Sequence, residues 1–217
     1  MLPRRPRSAR WTVAALAREA SALAREGSVL AGGVAGAAGQ TGAMSAPPAR
    51  TATEPAAPAV RPAVPEDAAG ILALICELAA FEREPDAVRA TAADVAAALA
   101  GEHPVASALV AADATGTVVG MALWFRTFST WTGQAGMWLE DLYVRPDHRR
   151  TGTGRRLLRE LAARCVAEGW ARLEWTVLDW NTEAQAFYQA VGAIPMSDWT
   201  TNRVSGPALA ALAGSAP

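Results

Sequence analysis

The chain has 217 residues, 51% of them hydrophobic, enough to bury a core and to exclude a fully disordered protein. Its 20 basic and 21 acidic residues leave a net charge of −1, which argues against wholesale binding to nucleic acid or an anionic membrane. All the cations are arginine, so a Walker-type phosphate loop, a lysine Schiff base and a lysine general base are excluded; Cys76, Cys165, His103 and His148 stand singly, without zinc-ligand spacing or a disulfide framework, and no metal is expected.

Through Ala57 the chain is Ala, Gly, Pro, Ser, Thr and Arg with almost no periodic apolar stripe, and residues 1–57 are expected to form a disordered or non-native extension. The apolar stretch from Trp11 is short and broken by Arg18 and Glu19, and the Gly-rich run that follows lacks the ~20 apolar residues a membrane span needs. A cytoplasmic protein is expected. The folded part, 58–217, carries thirteen Arg against eighteen acids, a mildly acidic balance that suits a cationic substrate.

From Arg61 the patterns alternate. A first strand leads to Pro65-Glu66-Asp67, which opens a helix with the stripe Ile71, Leu74, Ile75, Leu78; a shorter Ala-rich helix covers about 91–100. Three strands follow, Val105–Ala112, Val118–Phe128 and Gln134–Val144, and then a helix after Gly154 with Leu157, Leu158, Leu161 and Cys165 on one face. A strand over Leu173–Val177, a helix over Asn181–Val191 and two short strands, around Ile194 and over Trp199–Val204, complete the order. This is an α/β (α+β) arrangement: one mixed central sheet of about six to seven strands with helices on both faces.

Between the third of those strands and the following helix runs Arg149-Arg150-Thr151-Gly152-Thr153-Gly154-Arg155-Arg156. Two glycines let the backbone turn and bare its N–H groups at a helix N-terminus, where the macrodipole favours an anion. Four arginines gather at the same end, where a helix prefers acids. A bound phosphate reverses that penalty and adds charge-assisted hydrogen bonds; the plainer alternative is a solvated Arg-rich turn.

These residues resemble the acetyl-CoA site of the GNAT superfamily of N-acetyltransferases, whose Gln/Arg-x-x-Gly-x-Gly/Ala signature Arg149–Gly154 matches. Asn181, Ala184, Phe187, Tyr188 and Gly192 match a second family element, Asn-x-x-Ala-x-x-Phe-Tyr-x-x-x-Gly. Within the superfamily the resemblance is to diamine acetyltransferases of the spermidine/spermine type: Leu139-Glu140-Asp141, Gly101-Glu102-His103-Pro104 and Asp179-Trp180-Asn181 are similar to elements of that group. The resemblance covers about 59–204. It implies acetyl-CoA as co-substrate, no metal, a homodimer, and cofactor contacts at Leu142, Val144, Arg149, Arg150, Gly152, Thr153, Gly154 and Asn181. Asn181 equally suits a plain helix N-cap, and the two roles are compatible.

Acetylating an alkylamine at neutral pH requires removing a proton from a group of pKa ~10.4, a deficit of about 4 kcal/mol. Glu140 is the expected base, a charge on a strand otherwise made of Trp, Leu, Tyr and Val; a surface-facing Glu is the bland alternative. Strict alternation sends Asp141 to the other face, so both carboxylates reach one pocket only if the strand is bulged there. Asp141 would then pair with a second nitrogen of the substrate. The resemblance adds Glu82, otherwise a solvated helix end, for a distal amine; Trp131, otherwise a cover for the core, as an aromatic face for an ammonium; and Phe81, where the polyamine enzymes carry Tyr. Tyr188 is the expected partner of the departing thiolate, donating a hydrogen bond or its proton.

The expected activity is acetyl transfer from acetyl-CoA to a primary amine of a small cationic molecule, a di- or polyamine. Alternatives are an amino-acid-like, aminoglycoside or protein N-terminal amine, or a non-catalytic acyl-CoA-binding regulator.

Overall fold

The structure, a computed structural model, describes residues 57–214. The expectation of a disordered extension falls, but for Ala57, outside the described residues. Five strands, β1 (Ala59–Pro62), β2 (Ser107–Ala112), β3 (Val118–Ser129), β4 (Gln134–Val144) and β5 (Leu173–Glu174), form one sheet in sequence order. All neighbours are antiparallel except β4 and β5, which run parallel. Five helices accompany them: α1 (Ala68–Phe81), α2 (Ala92–Leu99), α3 (Thr153–Ala167), α4 (Thr182–Gln189) and α5 (Gly206–Leu212). Among the described residues no helix is long and apolar enough to cross a membrane.

The core has two layers because the sheet is covered on both faces. On one face Ile71 and Leu74 of α1 and Val95 of α2 bury against Val110, Met121 and Tyr143. On the other, Leu157, Leu158, Leu161 and Cys165 of α3, the stripe read from the sequence, bury against Ala122, Trp124, Met137 and Leu139. Phe187 and Tyr188 of α4 pack at the margin of this second cluster.

The start of α1 is held by side chains and its end by backbone hydrogen bonds. Asp67 accepts two hydrogen bonds from Arg61 (2.6 and 2.8 Å) and one from the Val64 N–H (2.9 Å), a bidentate pair that ties β1 to the helix entry. At the far end Glu84 N–H bonds to Ala79 O (2.8 Å) and Arg83 N–H to Ala80 O (3.2 Å), the pattern of a Schellman motif. Arg83 holds its left-handed position, with φ +68°. Glycine is the usual residue there, and a side chain in that conformation costs about 1–2 kcal/mol.

Two strand expectations are corrected. Neither Ile194 nor Trp199–Val204 forms a strand; that segment is irregular and leads into α5, so the sheet has five strands rather than six or seven. Pro195 donates no N–H, the run from Ser197 to Asn202 is polar apart from Trp199, and Ile194 and Trp199 are exposed, so no buried face organises the segment. The strand expected over Leu173–Val177 pairs only at Leu173–Glu174, because β4 is bent where β5 would continue.

Candidate active site

The bend is a β-bulge at Glu140. In the β3–β4 register Leu123 faces Asp141 and Trp124 faces Leu139, which leaves Glu140 as the extra, unpaired residue. Its consequences run along the backbone. Met137 N–H points to β5, bonding Arg172 O at 2.9 Å, whereas Arg145 N–H points to β3, bonding Val119 O at 2.9 Å. Alternation counted back from Arg145 turns the N–H and C=O groups of Val144 and Leu142 away from β3. β5 has stopped pairing at Trp138, so these groups border open space, save that Val144 O accepts from Arg149 Nε.

That space is a cleft of about 420 Å³, walled by the end of α1, by β4 from Glu140 to Val144, by the loop into α3 and by Thr176–Leu178 and α4. Of the residues singled out from the sequence, Phe81, Glu82, Glu140, Asp141, Leu142, Val144, Arg149, Arg150, Gly152, Thr153, Gly154, Asn181 and Tyr188 line it. Trp131 does not. It stands at the tip of the β3–β4 hairpin, 72% exposed, with its ring 6.1 Å from that of Trp199. Six residues of strand separate Gln134 from Glu140, roughly 20 Å, which keeps the hairpin tip away from the bulge. His148 is hydrogen-bonded through its backbone carbonyl to Thr151 and lies outside the cleft lining.

Four carboxylate residues line the cleft, Glu82, Glu140, Asp141 and Glu183. Asp141 is the most enclosed: its pKa is pushed up to about 6, first by desolvation and then by the charges of Glu140 and Glu82. Among the described residues its carboxylate has no hydrogen-bond partner. Glu82 is exposed as a residue, yet its carboxyl borders the cleft and desolvation raises its pKa. Glu140 accepts a hydrogen bond at Oε2 from Trp138 Nε1 (2.8 Å), which fixes its rotamer. Across from them burial raises the Tyr188 hydroxyl above its ordinary value, so its proton stays on oxygen at neutral pH. The Tyr188 ring is held by Trp175 and Phe187, at 4.9 and 5.3 Å between centroids.

At the other end, Gly152 caps α3 in the left-handed conformation (φ +82°), preceded by Arg150, also left-handed at φ +61°. The first helical bond is Arg156 N–H to Gly152 O (3.0 Å), so the N–H groups of Thr153, Gly154 and Arg155 have no partner within the helix. Thr151 Oγ1 donates to His148 O and accepts from Thr153 Oγ1, each at 2.8 Å, which stiffens the turn. Gly154 is telling. A Cβ built on it would meet nothing nearer than Val144 Cγ2 at 3.9 Å, so packing within the chain does not require glycine there. A ligand seated on the helix N-terminus does. Unpaired N–H groups, a glycine cradle and the cations Arg150 and Arg155 fit a diphosphate. Asn181 caps α4, its Oδ1 accepting from Ala184 N–H (3.2 Å), while its amide nitrogen is left for a ligand.

Arg149 is less a phosphate ligand by geometry than a brace. Its Nε donates to Val144 O (2.8 Å), and its guanidinium stands 5.4 Å from both the Phe81 and Tyr143 rings. Two residues adjoining the cleft lining carry no role in the sequence reading: Trp180, with its ring 5.6 Å from that of Phe81, and Arg83, whose guanidinium carbon is 4.9 Å from the Trp180 ring centroid. Neither follows a periodic pattern.

A five-stranded mixed sheet whose fourth strand opens beside a helix start with unpaired N–H groups suits an acyl-transferase class of fold, and comparison with known proteins agrees. The model of the Acetyltransferase (GNAT) family matches residues 72–193, and the chain belongs to that family. It is 36% identical over 158 residues to the thialysine N-epsilon-acetyltransferase of Bos taurus, covering 68% of this chain and 92% of the bovine protein. To the human spermidine/spermine N(1)-acetyltransferase-like protein 1 it is 31% identical over 137 residues, covering 60% of this chain and 20% of that protein. An integron cassette protein from the mobile metagenome of V. cholerae superposes with a TM-score of 0.62 at 23% identity, over 72% of this chain and 98% of that one, which supports the fold. The protein is an N-acetyltransferase acting on amines.

Proposed function

We propose that this enzyme transfers the acetyl group of acetyl-CoA to a terminal primary amine of a small molecule that carries a second cationic nitrogen. The observation that carries the reading is the gathering of Glu82, Glu140 and Asp141 in one cleft with the bared N-terminus of α3. The α3 end suits the diphosphate, and the free edge at Leu142 and Val144 suits the amide groups of the pantetheine arm. The acids suit a polycation.

Asp141 is the better placed of the β4 pair to take the proton. Glu140 is already hydrogen-bonded to Trp138, whereas Asp141 has no partner among the described residues and a proton affinity raised toward neutrality. Glu140 then steadies the cation and keeps that affinity high. Once Asp141 holds the ammonium proton, the nitrogen lone pair attacks the thioester carbonyl carbon; the C–N bond forms, the C–S bond breaks, and the second amine proton leaves for solvent. Tyr188 stabilises the departing sulfur by hydrogen bonding. Its raised pKa makes complete proton donation to a thiolate uphill, by more than the roughly 2 kcal/mol of the unperturbed groups.

Two substrate classes fit. A di- or polyamine matches the acids alone. The ω-amine of a diamino acid is favoured by the match across nearly all of a relative named for thialysine. Release of CoA thiol from acetyl-CoA with a panel of polyamines, diamines and diamino acids tests the reading; no release with any of them defeats it. A homodimer belongs to the same reading, and it is supported by the exposed Ile194, Met196, Trp199, Leu209 and Leu212 near the C-terminus.

A further inference from the structure

Arg83 occupies a position its own fold would give to glycine, with φ +68° at the end of α1. Such a residue survives when its side chain is needed. The guanidinium is not spent on an ion pair among the described residues; its carbon stands over Trp180, 4.9 Å from the ring centroid, a cation–π contact that positions the fork without using its N–H donors on an acid. Trp180 in turn leans on Phe81 and directly precedes Asn181, and both of those line the cleft. A cation without an ion-pair partner among the described residues is therefore held beside an acidic cleft, one residue from the lining at Glu82 and joined through Trp180 to the lining at Phe81. Immediately before it in the chain, Glu82 borders the cleft.

An acid and a guanidinium on consecutive residues match a ligand that carries an ammonium and a carboxylate on one carbon. We infer that Arg83 is a specificity-determining residue that binds the α-carboxylate of a diamino acid, with Glu82 on its α-ammonium and the ω-amine delivered to Asp141. The inference rests on the acetyl-transfer reading and narrows it. A polyamine supplies Glu82 with a partner and meets only repulsion at Arg83.

Matched pairs that differ only by the carboxylate decide it: lysine against cadaverine, and ornithine against putrescine. For Arg83→Gln the ratio of kcat/KM for lysine to that for cadaverine falls by about tenfold or more, as for loss of one charge-assisted contact. The amino-acid loss lies in KM, and the diamine value rises because a like charge is gone. Arg83→Gly, which suits the backbone, behaves in the same way even if Gln perturbs the turn, and Arg83→Lys recovers part of the ratio. Equal effects on both members of each pair, or none on either, overturn the assignment while leaving acetyl transfer intact. Wild-type enzyme that releases CoA with polyamines and with none of these four overturns the assignment alone; no release with any amine, polyamines included, overturns both.

Discussion

The rings of Phe81 and Trp180 lie 5.6 Å apart and join the end of α1 to the loop that leads into α4. With Arg149 over Phe81 on one side and Arg83 over Trp180 on the other, they make a pair of rings flanked by a cation at each end. Such a ring pair contributes about 0.5–1.5 kcal/mol beyond the area it buries. Trp180→Ala is expected to lower the melting temperature by a few degrees and to raise KM for the amine several-fold, with acetyl-CoA affinity little changed. An unaltered amine KM in steady-state kinetics means that the two walls hold position independently.

With Asp141 as proton acceptor, kcat/KM falls as pH drops through about 6, where its carboxylate protonates. Glu140→Gln removes one of the negative charges that raise this pKa, so the acid limb of the pH–rate profile moves to lower pH. Asp141→Asn abolishes the limb and costs roughly 10²–10⁴ in turnover. A limb that stays in place in the Asp141→Asn enzyme assigns it to another group.

The same carboxylate bears on stability. Its pKa is near 3.8 unfolded and about 6 folded, so the folded state binds the proton more tightly. Stability from this site is present below pH 3.8 and is lost as pH rises through 6. Asp141→Asn, which cannot ionise, therefore raises the melting temperature relative to wild type at pH 8 and has little effect at pH 4. Thermal scans at the two values check the sign; an equal shift at both would point to repacking instead.

Gly154→Val fills the space in front of the α3 N-terminus without meeting backbone, because the nearest atom to its Cβ is Val144 Cγ2 at 3.9 Å. The apo variant should melt at or slightly above wild type, since valine costs a helix a few tenths of a kcal/mol less than glycine. Acetyl-CoA at a hundred times the wild-type Kd stabilises wild type by ~2.7 kcal/mol and the variant far less. Calorimetric titration giving both proteins the same Kd removes the diphosphate from this helix end.

The helix stripes were legible because burial enforces their period: Ile71 and Leu74, and Leu157, Leu161 and Cys165, face the sheet as their spacing requires. The glycine turn was legible because it opposes ordinary helix preferences. The bulge could be stated only as a condition, since nothing in Leu139-Glu140-Asp141 marks which residue is the extra one; pairing with β3 decides that. The C-terminal strands failed because apolar letters such as Ile194 and Trp199 suggest a strand only where a neighbour offers a surface. Trp131 matched a motif, but reach along a hairpin is a matter of length, which a motif does not encode. Arg83 stayed hidden because the usual sign of a helix end is the glycine it replaces.

The bulge at Glu140 also governs how this wall of the cleft tolerates sequence drift. Leu142 and Val144 offer amide and carbonyl groups, which every residue but proline supplies in full, so apolar side chains that still fill the core beneath them can exchange while the same ligand edge persists. A lineage that deleted one residue at 139–141 would reverse the backbone's phase and turn that edge inward. Substitution surveys will find Leu142 and Val144 open to other apolar residues, and indels or an imino acid will expose how much of the enzyme depends on the backbone there.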